Sequence, residues 1–298
     1  MKTTKVFVKM TIHEALLEAQ TALAQWAEAN EAKLEAQLLM QHVLNVNRAW
    51  LIAHANDALP PDAHAGFELL LNRRLLGEPI AYILGYCEFY GLNLKTTSDT
   101  LIPRPDTETL VEAVLAKTLP SQTGKILDLG TGTGAVALAI ASNRIKAQVT
   151  AVDASQAALN VAVENAKNLN ISNIHFMLSD WFVALENHEK FDVIVSNPPY
   201  IEQSDAHLTQ GDLRFEPMSA LASGEDGLDD VRKIIEDCLV YLKPQGWLML
   251  EHGYNQAEQV ADLMAQIGLT YIETIKDLGG NHRVTMGKNP LMVNTHWD

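Results

Sequence analysis

The sequence predicts an α/β protein in which a doubly wound, Rossmann-like domain follows a small helical bundle and a linking β-hairpin. Amphipathic helical stripes fill most of residues 11–77, and apolar strand-like runs alternate with helical segments from residue 101 onward. A glycine-rich turn also joins one of these runs directly to a helix. We therefore divide the chain into residues 1–84, 85–100 and 101–298.

The helical part begins at Thr11, whose spacing from Glu14 matches a capping box. Three apolar stripes follow at helical spacing, and the last of them comes after Pro60 and Pro61. The predicted stripes are Leu16, Ala19, Leu23 and Trp26; Leu34, Leu38, Leu39 and Val43; and Phe67, Leu70, Leu71 and Leu75.

The linking hairpin is predicted over residues 86–97, with Gly91 at its centre. Beyond it, seven short apolar runs predict the strands of the main sheet. The last two runs flank Gly279 and Gly280 and are predicted to form a closing antiparallel pair. The predicted strands cover residues 125–129, 149–153, 174–178, 191–196, 247–251, 271–275 and 283–287.

The glycine-rich turn lies between the strand at 125–129 and a helix that begins at Ala135. Glycines let the backbone approach a ligand closely, and the start of the helix presents free N–H groups. Asp153 follows at the distance at which an acid reaches ribose hydroxyls in nucleotide-binding units. With Ala135 the turn also fits the dehydrogenase pattern G-x-G-x-x-[G/A], so this motif alone leaves hydride transfer open. The candidate ligand residues are Gly130, Thr131, Gly132, Thr133, Gly134 and Asp153.

A second motif, Asn-Pro-Pro-Tyr at residues 197–200, follows the strand at 191–196. The Asn197 side-chain carbonyl and the Pro198 backbone carbonyl can accept both N–H bonds of a planar NH2 group, which aims its lone pair at a methyl donor. The two prolines stiffen this arrangement, although such pairs also mark ordinary turns. The candidate catalytic and substrate-binding residues are Asn197, Pro198, Pro199 and Tyr200.

Composition restricts the function further. The 298-residue chain has a net charge of −15 and a pI of about 5.0, which disfavours a broad phosphate-binding face and a nucleic-acid substrate. Cys87 and Cys238 are predicted to be reduced, buried thiols, and no Cys or His pattern indicates a metal site. We find no secretory signal and no membrane-spanning stretch, and we expect a cytoplasmic monomer.

Several segments together resemble one family, the bacterial peptide chain release factor N5-glutamine methyltransferases. The resemblance covers residues 11–288, and the segment 101–108 and the helical region are its most specific parts. The residues before Met10 and the tail at 289–298 depart from it. The segments that carry the resemblance are 101–108, 128–134, 179–181, 197–200, 214–217 and 251–253.

The resemblance implies a seven-stranded methyltransferase fold, with S-adenosylmethionine as methyl donor and S-adenosylhomocysteine as product, and without a metal. It implies methylation of the glutamine in the Gly-Gly-Gln loop of class I release factors, with the helical region as the substrate-docking domain. Asp180 and Trp181 would then lie at the adenine and Asp153 at the ribose. Asn197 would contact both donor and glutamine. Arg104 and Glu108 would either orient the substrate loop or pair with neighbours, and Arg214 and Glu216 would line the substrate side.

Three other functions remain open from the sequence. A glutamine methyltransferase of a ribosomal protein would use the same motif with another docking domain. An amino methyltransferase of adenine or cytosine shares the tetrapeptide, but the acidic charge disfavours it. A non-catalytic S-adenosylmethionine-binding module would not need all the residues of the motif.

Overall fold

The computed structural model describes residues 10–25, 29–121, 123–186 and 189–290. Trp26 of the first predicted stripe lies outside these ranges, as do most of the two terminal segments that depart from the family. The chain forms two compact units, Met1–Gly85 and Tyr86–Asp298.

The first helix of the helical unit, α1 (Ile12–Leu23), confirms the predicted capping box. The Thr11 backbone N–H donates to Glu14 Oε2 at 2.8 Å, and the Glu14 N–H donates to Thr11 Oγ1 at 3.2 Å. Two backbone donors at the helix start are thereby satisfied. Its buried face contains Ile12, Ala15, Leu16, Ala19 and Leu23, as the predicted stripe requires.

The second helix, α2 (Ala29–Leu44), buries Leu39 of the predicted stripe and packs Leu38 and Val43 against the core, but it exposes Leu34. Leu34 is 51% exposed, whereas Glu35 is almost fully buried because the Arg74 guanidinium pairs with it at 2.9 Å. The prediction was wrong for Leu34, because Ala32, Glu35 and Ala36 take the buried positions on the first half of the helix. The buried residues are Ala32, Glu35, Ala36, Leu39 and Met40.

The third predicted stripe lies on α4 (Pro61–Leu75), which begins with proline at its first position. Two short helices that the sequence analysis missed complete the described part of this unit, α3 (Arg48–Ala53) and α5 (Ile80–Leu84). Both are shorter than two turns, too short for a recognisable apolar period. Phe67, Leu39 and Leu23 are among the side chains of their common core.

The linking hairpin is confirmed as β1 (Tyr86–Phe89) paired antiparallel with β2 (Leu92–Lys95). Tyr90 and Gly91 form the two-residue turn with φ angles of 50° and 75°. Such left-handed pairs match the twist of a hairpin. Cys87 on β1 is only half-buried, whereas Cys238 is buried as predicted.

The second unit contains a seven-stranded sheet in the order β5-β4-β3-β6-β7-β9-β8, in which β9 runs antiparallel to both of its neighbours. All seven predicted strands are present. Their bounds are β3 (Lys125–Leu129), β4 (Gln148–Asp153), β5 (Ile174–Leu178), β6 (Phe191–Ser196), β7 (Leu242–Glu251), β8 (Thr270–Lys276) and β9 (His282–Lys288).

Helices cover both faces of this sheet. Strand residues alternate between two apolar cores, so that Ile126 and Val193 belong to one core and Leu127 to the other. Buried residues of α6 and α7 belong to the first core, and those of α9 and α10 to the second. The helices of this unit are α6 (Glu108–Lys117), α7 (Ala135–Asn143), α8 (Gln156–Asn168), α9 (Asp229–Tyr241) and α10 (Ala257–Gln266).

The strand order reverses between β3 and β6, which lie side by side in parallel. In doubly wound sheets ligands bind at the carboxyl ends of the strands next to such a switch point. Both sequence motifs follow these two strands directly, so the fold itself brings them together. Among the described helices, none is both long enough and apolar enough to cross a membrane.

Candidate active site

A cavity of about 630 Å³ lies at the carboxyl ends of β3, β4, β5 and β6. Its size is within the range of small-molecule and cofactor pockets. The loop at residues 98–101 forms part of its wall. We name it the donor cavity, and the predicted residues that line it are Gly130, Gly132, Asp153, Asp180, Trp181, Asn197 and Pro199.

The glycine loop is held in place by Asp153 at the end of β4. One carboxylate oxygen of Asp153 accepts the Gly132 N–H at 2.8 Å, and the other accepts the Ser155 N–H at 2.8 Å. Gly130, Gly132 and Gly134 have φ angles of 71°, 56° and 82°, which residues with a side chain rarely adopt. Each Asp153 oxygen has a second lone pair for ligand hydroxyls. The carboxylate therefore both shapes the loop and borders the cavity.

The other members of the predicted loop lie inside the protein. The Thr131 hydroxyl donates to buried Asp128 at 2.6 Å, and the Thr133 carbonyl accepts a hydrogen bond from Asn165 of α8 at 2.9 Å. Burial raises the pKa of Asp128 to about 7, against the opposing effect of the Thr131 hydrogen bond. Gly134 caps the start of α7. Thr131, Thr133 and Gly134 thus shape the loop from below and do not line the cavity.

Asp180 and Trp181 follow β5 and complete the cavity on its β5 side. Trp181 has a φ of 47°, and a Cβ placed on Gly130 would lie 3.3 Å from its ring. The Ser179 hydroxyl donates to the Trp181 carbonyl at 2.8 Å and fixes this unusual turn. The Trp181 indole therefore packs against the glycine loop and offers a flat apolar wall to a ligand.

The Asn-Pro-Pro-Tyr motif separates the donor cavity from a second, smaller one of about 60 Å³. Asn197 and Pro199 line both cavities, and Pro198 and Tyr200 line only the smaller one, which we name the acceptor pocket. Leu101 also lies between the two. The predicted catalytic residues are thus collected at the point where two ligands of different size could meet.

The tyrosine of the motif is fixed from three sides. Its hydroxyl donates to Glu251 Oε1 at 3.3 Å, its carbonyl accepts from Gln256 Nε2 at 3.0 Å, and Gly227 packs against that carbonyl. Burial raises the pKa of the Tyr200 phenol well above its usual range, and Glu251 adds to this effect. The positive charge of Arg283 on β9 favours the ionised form of Glu251 and so lowers the pKa of that acid. Tyr200 is therefore a neutral hydrogen-bond donor at any physiological pH.

The segment 101–108 lies beside the motif and is clamped by its polar side chains. Arg104 pairs with buried Glu216, and Glu216 Oε2 also accepts the Ile102 N–H at 2.9 Å. The Asp106 carboxylate pairs with the Arg283 guanidinium at 3.2 Å. The Thr107 hydroxyl accepts a hydrogen bond from Asn197 Nδ2 at 3.2 Å. The Glu108 carboxylate accepts the Tyr90 N–H at 3.0 Å. Arg104 therefore pairs with a neighbour and also lines the acceptor pocket. Glu108 and Glu216 pair with neighbours, and the Arg214 guanidinium lies over the Phe215 ring. None of these last three residues lines the pocket, although Arg214 and Glu216 were predicted to lie on the substrate side.

Comparison with known proteins identifies the family. Residues 14–85 match the PrmC N-terminal domain, and residues 107–215 match the Methyltransferase small domain. The release factor glutamine methyltransferase of Shewanella oneidensis is 45% identical to this chain over 277 residues, which cover 93% of this chain and 96% of the relative. The chain belongs to the release factor glutamine methyltransferase family.

Other relatives agree with this membership. The release factor glutamine methyltransferase of Escherichia coli is 45% identical over 267 residues, which cover 90% of this chain and 96% of that protein. A solved structure shares the fold alone: the crystal structure of a methyltransferase from Pyrococcus furiosus has a TM-score of 0.52 at 18% identity, and the match covers 74% of this chain and 98% of that chain. The predicted resemblance and the predicted methyltransferase fold are confirmed.

Sequence reasoning missed several residues that support the site of this release factor glutamine methyltransferase homologue. Gln256 and Gly227 hold Tyr200, and Asn165 joins the glycine loop to β2 through the Lys95 N–H at 2.7 Å. Thr107 was noted only as part of a motif. Each acts on a residue far away in the chain, so no local pattern could identify it. Within the described ranges, no group of three His, Cys, Asp or Glu side chains is arranged to hold a metal.

Proposed function

We propose that this chain transfers a methyl group from S-adenosylmethionine to the side-chain amide nitrogen of the glutamine in the Gly-Gly-Gln motif of class I peptide chain release factors. The position of Asn197 at the boundary of the donor cavity and the acceptor pocket carries this proposal. The names of the relatives, which are release factor glutamine methyltransferases at 45% identity, support the same substrate.

The donor cavity suits S-adenosylmethionine, which supplies a methyl group activated on a positively charged sulfur. Gly130 and Gly132 would pass beneath its ribose and amino acid parts, and Asp153 would accept the ribose hydroxyls. Asp180 would lie near the adenine amine and Trp181 against the ring. Asp99 and Asp230 add further carboxylates to the lining, which favours a cationic ligand over an anionic one.

The acceptor pocket would hold the glutamine side chain. Asn197 Nδ2 donates to Thr107, which leaves Asn197 Oδ1 to accept one N–H of the glutamine amide, and the Pro198 carbonyl would accept the other. Tyr200 would pack against the methylene groups. An amide nitrogen delocalises its lone pair, so the two acceptors must hold the NH2 group while the nitrogen becomes nucleophilic.

In the transfer step the glutamine nitrogen would form a bond to the methyl carbon, and the electron pair of the carbon–sulfur bond would stay with sulfur, which gives neutral S-adenosylhomocysteine. The positive charge passes to the amide, and one amide proton would then leave to water and give the neutral N-methyl amide. No strong base is required, because this proton becomes acidic only as the new bond forms. Alignment of reactants is worth effective molarities of about 10⁵ to 10⁸ M, so the residues around Asn197 would act mainly by positioning.

We further propose that the helical unit docks the release factor, because a Gly-Gly-Gln loop offers few side chains to recognise. The boundary between the units, Met1–Gly85 and Tyr86–Asp298, lies next to the end of the proposed docking domain. We propose that the protein acts as a cytoplasmic monomer without a metal or a nucleic-acid partner.

The deciding experiment mixes the purified chain and S-adenosylmethionine with unmodified release factor, with ribosomal subunits and with DNA in parallel. Any added methyl group is then mapped by mass spectrometry. We expect methyl on the glutamine of the Gly-Gly-Gln motif. Methyl only on a ribosomal protein or only on DNA would replace the proposed substrate, and no methyl on any of them would reject the enzymatic role.

A further inference from the structure

A line of hydrogen-bonding groups runs beneath the acceptor pocket from Asn197 to Tyr200. The Asn197 Nδ2 atom lies 3.2 Å from Thr107 Oγ1, and the Tyr200 hydroxyl lies 3.3 Å from Glu251 Oε1. Thr107 and Glu251 are 4% and 1% exposed. Neither of them borders a described cavity, so they would act on substrate only through Asn197 and Tyr200.

The direction of the Asn197 amide decides whether the motif can work. Its oxygen must face the glutamine NH2 group, because an NH2 group in that place would meet another donor. A threonine hydroxyl can either donate or accept, so contact with Thr107 alone does not choose between the two orientations. A third group must fix the hydroxyl hydrogen.

Glu251 is suited to be that group. Its Oε2 atom is buried and, among the described side chains, lacks a hydrogen-bond partner, although its Oε1 accepts from Tyr200. Burial raises the pKa of Glu251 to about 7, and the nearby Thr107 hydroxyl opposes this rise. Above about pH 7 the carboxyl group is ionised and only accepts, so a Thr107 hydroxyl that donates to Glu251 has only its lone pairs left for Asn197.

We propose that Thr107 is a positioning residue: its hydroxyl donates to Glu251, accepts from Asn197 Nδ2, and thereby keeps Asn197 Oδ1 facing the substrate amide. This inference rests on the proposed function and deepens it. The hydrogen bonds run in one direction, from the Asn197 NH2 group through the Thr107 hydroxyl to Glu251. Loss of the Thr107 hydroxyl lets the Asn197 side-chain amide flip, so that its NH2 group faces the substrate and the glutamine binds in an unproductive orientation.

Thr107→Val and Thr107→Ser test the inference, because valine keeps the shape of threonine without its hydroxyl and serine keeps the hydroxyl. The assay uses the full-length chain, S-adenosylmethionine and unmodified release factor. We expect Thr107→Val to lower kcat by about 10- to 100-fold, the loss that misplacement of a reacting group causes. KM for the factor and Kd for S-adenosylhomocysteine should change less than about 3-fold, and Thr107→Ser should keep most of the wild-type kcat.

Thr118→Val provides a matched control, since the Thr118 hydroxyl also joins two protein groups, Arg144 and the Val114 carbonyl, but lies outside both cavities. We expect it to leave kcat unchanged. If Thr107→Val does not melt cooperatively, Thr107→Ala removes the same hydroxyl and does not place a methyl group against the polar Asn197 amide.

The outcomes separate this inference from the function on which it rests. A Thr107→Val variant with wild-type kcat would overturn it, as would an equal loss in the valine and serine variants, which would indicate shape and not hydrogen bonding. A Thr107→Val variant whose only defect is weaker binding of S-adenosylhomocysteine would also overturn it. Absence of methyl from the glutamine in the wild-type reaction would reject the proposed function, and the positioning role with it.

Discussion

The carbonyl oxygen of Tyr200 lies so close to Gly227 that a Cβ at residue 227 would meet it at 2.3 Å. Gly227 also has a φ of 75°, which disfavours any side chain. The Asn-Pro-Pro-Tyr motif is therefore supported from behind by a backbone contact that only glycine permits. Gln256 strengthens the same support through its hydrogen bond to the Tyr200 carbonyl.

Gly227→Ala should lower the free energy of unfolding by about 1–3 kcal/mol through backbone strain and should also lower turnover, because the Tyr200 carbonyl must move. Gly268→Ala is the matched control: Gly268 has a φ of 88° but open space around its Cβ position. Urea denaturation and a methylation assay on both variants measure the difference. Equal losses of turnover would contradict the support role.

Asn197→Ala should abolish detectable turnover, with a loss of at least about 100-fold, because the alanine offers no acceptor for the glutamine amide. Donor affinity should stay nearly intact. Calorimetric titration with S-adenosylmethionine and a turnover assay separate the two effects, and Asn160→Ala, at an exposed position of α8, serves as control. An Asn197→Ala variant that turns over near the wild-type rate would remove the basis of the proposed mechanism.

Asp153→Asn should weaken donor binding by about 10-fold or more, because one of its oxygens becomes an NH2 group that faces a backbone N–H donor. Asp192→Asn is a matched change at the opposite end of the sheet, where Asp192 accepts the Lys125 N–H at 2.7 Å. Calorimetry should find unchanged donor affinity in that variant. Similar losses in both would assign the effect to sheet stability.

Glu251→Gln should change how the free energy of unfolding depends on pH. Burial raises the pKa of Glu251 from 4.5 to about 7, so between these values the folded protein holds a proton that the unfolded chain releases. This acid therefore favours the folded state below about pH 4.5, and the contribution is lost as pH rises to about 7, by about 1.4 kcal/mol per pH unit.

The glutamine variant lacks this loss, so its stability relative to the wild type should be greater at pH 8 than at pH 5. Urea denaturation of both proteins at the two pH values measures it. Asp128, whose pKa is also raised to about 7, is present in both proteins and cancels from the comparison. A stability difference that does not vary with pH would contradict the prediction. The charged or titratable neighbours of Glu251 are Tyr200, Arg283 and Asp106.

Removal of residues 1–84 should leave donor binding intact and raise the KM for full-length release factor by at least about 10-fold, since the proposed docking surface is lost. The full-length and the truncated chain should methylate a short peptide that contains Gly-Gly-Gln at the same rate, because such a peptide reaches only the acceptor pocket. Steady-state kinetics with both substrates tests this. Unchanged KM for the full-length factor would reject the docking role.

The sequence predicted those parts of the fold that depend on local pattern. The runs at 174–178 and 191–196 are strands with the predicted bounds, because an apolar stretch flanked by turn residues has few other solutions. The two motifs could be placed at one site because both follow parallel strands. Asp153 was identified by its spacing from the glycines, and its hydrogen bond to Gly132 accounts for that spacing.

Other features depend on partners that are far away in the chain. The burial of Glu35 on α2 could not be predicted because its counter-charge, Arg74, lies on α4, and the neighbouring Leu34 is exposed. Glu216 was noted by its motif, but its pairing with Arg104 spans 112 positions. A residue that satisfies a distant group has no local pattern from which its role can be inferred.

The clamped segment 101–108 has a consequence for how the protein matures during its own synthesis. The partners of Thr107, Arg104 and Asp106 are Asn197, Glu216 and Arg283, so they emerge from the ribosome in that order and long after the segment itself. The donor cavity needs only residues up to Asp230, whereas the Arg283 contact awaits the last strand. A nascent chain therefore completes the polar clamp of the segment 101–108, beside the acceptor pocket, only when β9 has joined the sheet.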